Sequence, residues 1–176
     1  MALRKERKGY FRKVNGWDEI FCDTSARCKF SGVAHFLHIV RNPWSAFADT
    51  KKRPVPLGLE HYMMGWILNQ RAALRFRAMF PDRMHVIRAE DVMADSHKTL
   101  GELCRKLGLE PADSLKTPTW NGTELKEVYP WGTIRTPTPE ANKKTAMELS
   151  AEEQKEIGLL TAEFLDAFDY RNFLVK

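Results

Sequence analysis

The residues best suited to chemistry in this chain are Arg41, Asn42 and Pro43, which close the run Ala34-His35-Phe36-Leu37-His38-Ile39-Val40. That run is apolar and rich in β-branched and aromatic residues, which predicts a buried strand. Asn42 has the character of a helix N-cap and Pro43 that of a first helical residue. A helix is therefore predicted through Trp44, Phe47 and Ala48 toward Thr50. Arg41 then stands at the carboxyl end of a strand, where open α/β sheets bind ligands. A guanidinium beside the exposed backbone N–H groups of a helix start is suited to a phosphate. The plainer alternative is a surface charge that ends a strand.

The elements that must position this turn follow in order. Glu19-Ile20-Phe21-Cys22 predicts a short first strand, ending in Asp23-Thr24-Ser25. Pro54 and Pro56 close the helix that begins at Asn42, because two prolines in three positions forbid its continuation. From Leu57 to Phe80, apolar residues including Leu59, Tyr62, Met63, Trp66, Ile67, Ala73, Leu74 and Phe76 recur at three- and four-residue spacing. This predicts a long amphipathic helix with Trp66 in the core. Met84–Arg88 reads as another strand, with Ala89-Glu90-Asp91 at its end. A helix from Ser96 to Leu107 is stopped by Gly108. Residues 111–139 are irregular and rich in Pro, Thr, Gly and Trp, and loops of that length are uncommon unless functional or disordered. Trp120, Tyr129 and Trp131 favour a packed loop. A capping box, Ser150-Ala151-Glu152-Glu153, opens a terminal helix over 150–170. The alternation predicts a single domain of the α/β class, a parallel sheet with flanking helices, although three strands make a thin sheet.

Composition narrows the function classes. A chain of 176 residues buries a core without disulfides. No apolar run approaches the ~20 residues needed to span a bilayer, and the basic N-terminus lacks the apolar segment of a secretory signal. The net charge of +5 sits in residues 1–13, where Arg4, Lys5, Arg7, Lys8, Arg12 and Lys13 face only Glu6; the remaining charges balance. Such a run contacts anionic partners or is a solvated end. Cys22, Cys28 and Cys104, with five scattered His, have no metal-ligand spacing, so no metal is expected. Incidental thiols fit a reduced, cytoplasmic protein.

Several segments together resemble one family. His38-Ile39-Val40-Arg41-Asn42-Pro43 is similar to the "vvRdP" segment of sulfotransferases that use 3′-phosphoadenosine 5′-phosphosulfate (PAPS), particularly bacterial ones. Val86-Ile87-Arg88-Ala89-Glu90-Asp91-Val92 resembles the later "vrYEdL" segment, and Thr99 to Leu109 the following "tL…lc.fLGl" helix. Asp23-Thr24-Ser25 stands where many members carry a K-T/S-P turn. Order and spacing agree over residues 19–109, and the tail from Trp120 to Lys176 is similar to the end of some bacterial members.

The resemblance implies an incomplete P-loop-like sulfotransferase architecture, with PAPS as co-substrate, a hydroxyl-bearing acceptor and no metal. In that family the Arg of RdP and a Ser eight residues later hold the nucleotide's 3′-phosphate. Arg41 matches, but the second position is the carboxylate Asp49, so Thr50 beside it is the substitute candidate. The glycine-rich loop that cradles the 5′-phosphosulfate has no counterpart before Asp23. That absence implies a missing N-terminal part and leaves two readings open. One is a sulfotransferase, complete or truncated; the other is an inactive remnant that keeps the 3′-phosphate pocket.

The remaining site candidates follow from placement. Asp23 is the candidate general base, since Asp23, Thr24 and Ser25 occupy the region where the eukaryotic members carry a His and no His matches there. Arg135 lies where those members close a basic segment over the 3′-phosphate, and Trp131 near it is a candidate to stack on adenine. Lys51-Lys52-Arg53 faces the nucleotide or is a solvated helix end, and His61 is a candidate for the acceptor pocket. Glu90 and Asp91 are catalytic or, more usually in this family, structural. His35 and His38 are expected in packing or backbone hydrogen bonds. Nucleic acid is disfavoured as a partner because no recognised motif is present. The open sheet edge predicts a homodimer or aggregation.

Overall fold

The computed structural model describes residues 34–117, 119–120, 123–124, 128–129, 132–133 and 138–175, within a unit that begins at Ala34. The predicted strand at Glu19–Cys22 and the candidates Asp23, Trp131 and Arg135 lie outside the described residues.

Strand β1 (Phe36–Val40) leads into helices α1 (Pro43–Lys51) and α2 (Leu59–Met79), and the chain returns in strand β2 (Met84–Arg88). The strands pair in parallel, Phe36 opposite Met84 and Val40 opposite Arg88. Residues 41–42 and 89–90 therefore leave the sheet side by side at its carboxyl end. That register brings the Arg41 turn to the acidic pair that follows β2.

Helix α3 (Ala89–Ala94) starts directly on β2, and α4 (Ser96–Lys106) follows, capped by Asp95, whose carboxylate accepts from the Lys98 N–H at 2.9 Å. Gly108 ends it with φ +69°, a left-handed conformation that glycine adopts at no steric cost. The long loop is less irregular than its composition implies. It holds a 3₁₀ turn at Asp113–Lys116 and two antiparallel pairs, β3 (Thr119–Trp120) with β4 (Thr123–Glu124) and β5 (Val128–Tyr129) with β6 (Gly132–Thr133). Helix α5 (Pro139–Ala146) begins within the segment read as loop, capped by Thr138 with Pro139 at its first position.

The terminal helix is shorter than its periodicity predicts. The Ser150 capping box forms with both of its hydrogen bonds and opens α6 (Ala151–Leu160). Thr161 then leaves helical geometry at φ −104°, ψ 7°, and a short α7 (Ala162–Leu165) follows. The Thr161 hydroxyl donates to the Ile157 carbonyl at 2.7 Å. Such back-bonding by Thr is a common site of helix bending.

One side of the sheet carries the core. Val40, Trp44, Phe47, Ala48, Met63, Trp66, Ile157, Phe164, Phe168 and Tyr170 form one buried cluster, so Trp66 is a core residue as its spacing predicts. Leu37 and Ile39, which alternate with the inward residues of β1, are 45% and 60% exposed. No helix among the described residues is long and apolar enough to cross a membrane.

Ile157 is fully buried at the centre of this cluster, while Leu159 on the same helix is 69% exposed. Ile157→Ala is expected to lower unfolding stability by about 3 kcal/mol, read from the urea midpoint. Leu159→Ala is expected to change it by less than about 0.5 kcal/mol.

Candidate functional site

The turn after β1 is fixed through its backbone before its side chains act. The Arg41 carbonyl accepts a 3.1 Å hydrogen bond from the Trp66 indole N–H, which carries α2 to the turn. The next backbone N–H, that of Asn42, donates to Glu90 Oε1 at 3.0 Å. Asn42 also caps α1: its Oδ1 accepts from the Ser45 N–H at 2.9 Å, and its Nδ2 donates to Glu90 Oε1 at 2.6 Å and to Ser45 Oγ at 2.6 Å.

This arrangement corrects one expectation. The helix start does not offer an exposed nest of backbone donors, because Asn42 and Ser45 are fully buried and their N–H groups already have acceptors. Glu90 fills the position that an anion would take there. Its second oxygen accepts from the Tyr170 hydroxyl at 2.6 Å, and Asn142 Nδ2 adds a 2.9 Å bond to Oε1. Four donors on three segments thus converge on one carboxylate, which places Glu90 in a structural role.

Asp91 is structural as well. The Arg88 guanidinium grips it in a bidentate pair at 2.5 and 3.0 Å. The same guanidinium holds the carboxyl-terminal segment through the Phe168 and Asp169 carbonyls, each at 3.1 Å. Asp169 there has φ 55°, a left-handed conformation that Asp tolerates better than most residues.

The Arg41 guanidinium lies in a fork between two partners. Nε and Nη2 donate to Asn142 Oδ1 at 2.9 and 2.7 Å, and Nη1 donates to Asp49 Oδ2 at 2.6 Å. Because Asn142 gives its amide to Glu90 and its carbonyl to Arg41, the orientation of that side chain is set from both ends. Described residues engage three of the five guanidinium N–H donors. The Arg41 and Asp49 side chains keep 29% and 38% exposure.

Thr50 is brought to this group but is turned inward. It is 1% exposed, and its hydroxyl donates to the Ala46 carbonyl at 3.1 Å. Burial raises the Tyr62 pKa; Thr50 and the cations Arg41 and Arg53 oppose that shift, and Asp49 adds to it. Arg41, Asp49, Thr50, Arg53 and Tyr62 therefore share one electrostatic neighbourhood.

The adjoining lysines are tied elsewhere. Lys51 pairs with Glu153 and Lys52 with Glu148, both at 2.7 Å, so they bind the end of α1 to the α5–α6 region. His61 is exposed in the first turn of α2. His38 and His35 take side-chain partners rather than backbone ones: His38 Nε2 lies 2.7 Å from Gln70 Oε1, and His35 Nδ1 lies 3.0 Å from His85 Nε2.

Asn142, Tyr170 and Tyr62 escape sequence reasoning as site residues. Thr138-Pro139 signals a helix start that would place Asn142 in a first turn, but nothing in the sequence pairs it with an arginine 101 residues away.

Burial, then the Glu90 charge and its hydrogen bond, hold the Tyr170 phenol far above its ordinary pKa of 10.0. A raised native pKa contributes stability that is complete below the unfolded value and is lost as pH rises beyond it. The urea midpoint is expected to fall steeply above about pH 10, and Tyr170→Phe is expected to flatten that fall. Tyr170→Phe is also expected to lower stability near neutral pH by about 1–2 kcal/mol, since Glu90 Oε2 loses its donor.

No protein-family model matches the chain, and neither a curated protein nor a solved structure matches it.

Proposed function

We propose that the Arg41 site receives the 3′-phosphate of an adenosine bisphosphate nucleotide, and that the chain acts as a sulfotransferase taking its sulfuryl group from PAPS to a hydroxyl acceptor. The observation that carries this reading is the placement of the Arg41 guanidinium. It stands at the carboxyl end of two parallel strands, oriented by Asn142 on one edge, paired with Asp49 on the other and 29% exposed. A planar guanidinium held in this way suits bidentate recognition of a phosphate.

Asp49 occupies the edge of Arg41 that a phosphate would use. A doubly charged phosphate carries more charge than this carboxylate and competes with it for the guanidinium. The Arg53 charge, which reaches the neighbouring Tyr62 phenol, adds to the positive field that the incoming anion meets. Thr50, with its hydroxyl already donated to the Ala46 carbonyl, makes no phosphate contact in this reading. Transfer of the sulfuryl group requires a base at the acceptor and positive charge at the bridging oxygen. Asp23 is the residue proposed as that base, and Arg135 as a second phosphate contact.

A second reading, a nucleotide-binding module without transfer activity, is favoured by one observation. Glu90 fills the backbone donor position at the start of α1, so the charge stabilisation that transfer needs does not come from that helix start.

Calorimetric titration with adenosine 3′,5′-bisphosphate is expected to show micromolar binding that Arg41→Ala abolishes. Asp49→Asn is expected to tighten it about threefold to tenfold, by removing the competing carboxylate. No binding by folded wild type would withdraw the proposal. Binding without turnover of PAPS on a panel of phenols, alcohols and sugars would favour the second reading.

A further inference from the structure

At the opposite end of the sheet from Arg41, two imidazoles meet. We propose that His35 and His85 form a two-histidine chelate for a borderline divalent transition-metal ion, of the Zn²⁺, Ni²⁺ or Cu²⁺ class.

The nitrogens that face one another are His35 Nδ1 and His85 Nε2, 3.0 Å apart. Two imidazole nitrogens bound cis to one such ion, each at about 2.0–2.1 Å, lie about 2.9–3.4 Å from each other. The observed separation falls inside that range. In the metal-free pair, one ring donates its N–H to the lone pair of the other. An ion replaces that shared proton and takes both lone pairs, so the rings need only tilt.

The backbone presets the spacing. Leu37 lies opposite His85 and Phe36 opposite Met84, which makes His35 and His85 diagonal neighbours across the parallel pair. The Phe36 N–H donates to the Arg83 carbonyl at 2.7 Å, fixing the chain next to both histidines. The rings stack, with centroids 5.2 Å apart and planes inclined by 29°. Both are accessible enough for water to complete the coordination shell.

The chemistry of the donor set selects the ion. Neutral imidazole nitrogens suit Zn, Ni and Cu, whereas Mg²⁺ and Ca²⁺ require oxygen ligands. Two imidazoles leave the remaining coordination positions to water, so the ion is held exchangeably. Lys106, whose charge reaches His85, opposes a dication and keeps the affinity modest. The bound ion links the amino-terminal ends of β1 and β2. Because it binds only the folded pairing, it stabilises the sheet by mass action.

The test is thermal unfolding with and without Zn²⁺ and Ni²⁺, together with titration followed by the imidazole Cε1–H NMR signals. Wild type is expected to gain several degrees in Tm, with the His35 and His85 signals moving together and ahead of those of His38, His61 and His97. His35→Asn and His85→Asn are each expected to weaken binding sharply, and the double variant should lose the metal-dependent gain in Tm altogether. A metal-dependent Tm gain that persists in the double variant would overturn the proposal. So would a wild type whose Tm and imidazole signals ignore both ions.

Discussion

A single carboxylate holds this fold's working end together. Glu90 receives the Asn42 backbone N–H and side-chain amide, the Asn142 amide and the Tyr170 hydroxyl. These donors come from the turn after β1, from α5 and from the carboxyl-terminal segment. They lie 48, 52 and 80 residues from Glu90 in the chain. A partly buried carboxylate satisfied on both oxygens imposes direction on everything bonded to it, whereas one left unsatisfied would destabilise its surroundings. The parallel register makes the convergence possible, because it sets residues 41–42 beside 89–90 where both strands end.

Arg41 inherits its geometry from that carboxylate through Asn142. The carbonyl of Asn142 meets the guanidinium only because its amide is committed to Glu90. The opposite edge of the guanidinium is paired with Asp49 at 2.6 Å in a partly buried ion pair. Asn142 on one edge and Asp49 on the other therefore fix the plane of the guanidinium. Trp66 supports the same residue from below, by bonding its carbonyl.

Much of the local structure was legible in the sequence. Asn42-Pro43, Gly108 and the Ser150 capping box mark helix ends where the structure has them, because their chemistry acts within one turn. The extents of β2 and α2 followed from periodicity for the same reason. What depended on distant residues was not legible. The start of α1 looked like an open anion nest, since nothing near Asn42 in sequence announces a carboxylate 48 residues later. The break at Thr161 lies inside a continuous apolar pattern and arises where the chain turns to pack Phe164 and Phe168 into the core. The five histidines looked scattered, yet pairing of β1 with β2 brings His35 to His85 across 50 residues. Short-range chemistry sets element ends; long-range pairing sets the site.

The dependence of Arg41 on Glu90 through Asn142 is measured most directly by a double-mutant cycle. Glu90→Gln, Asn142→Ala and the double variant would be compared with wild type by urea unfolding at neutral pH. A coupling energy of about 1 kcal/mol or more is the predicted result, because each single change already breaks the chain of hydrogen bonds. Losses that simply add would mean that the two side chains act independently, and the account of a relay from Glu90 to Arg41 would be wrong.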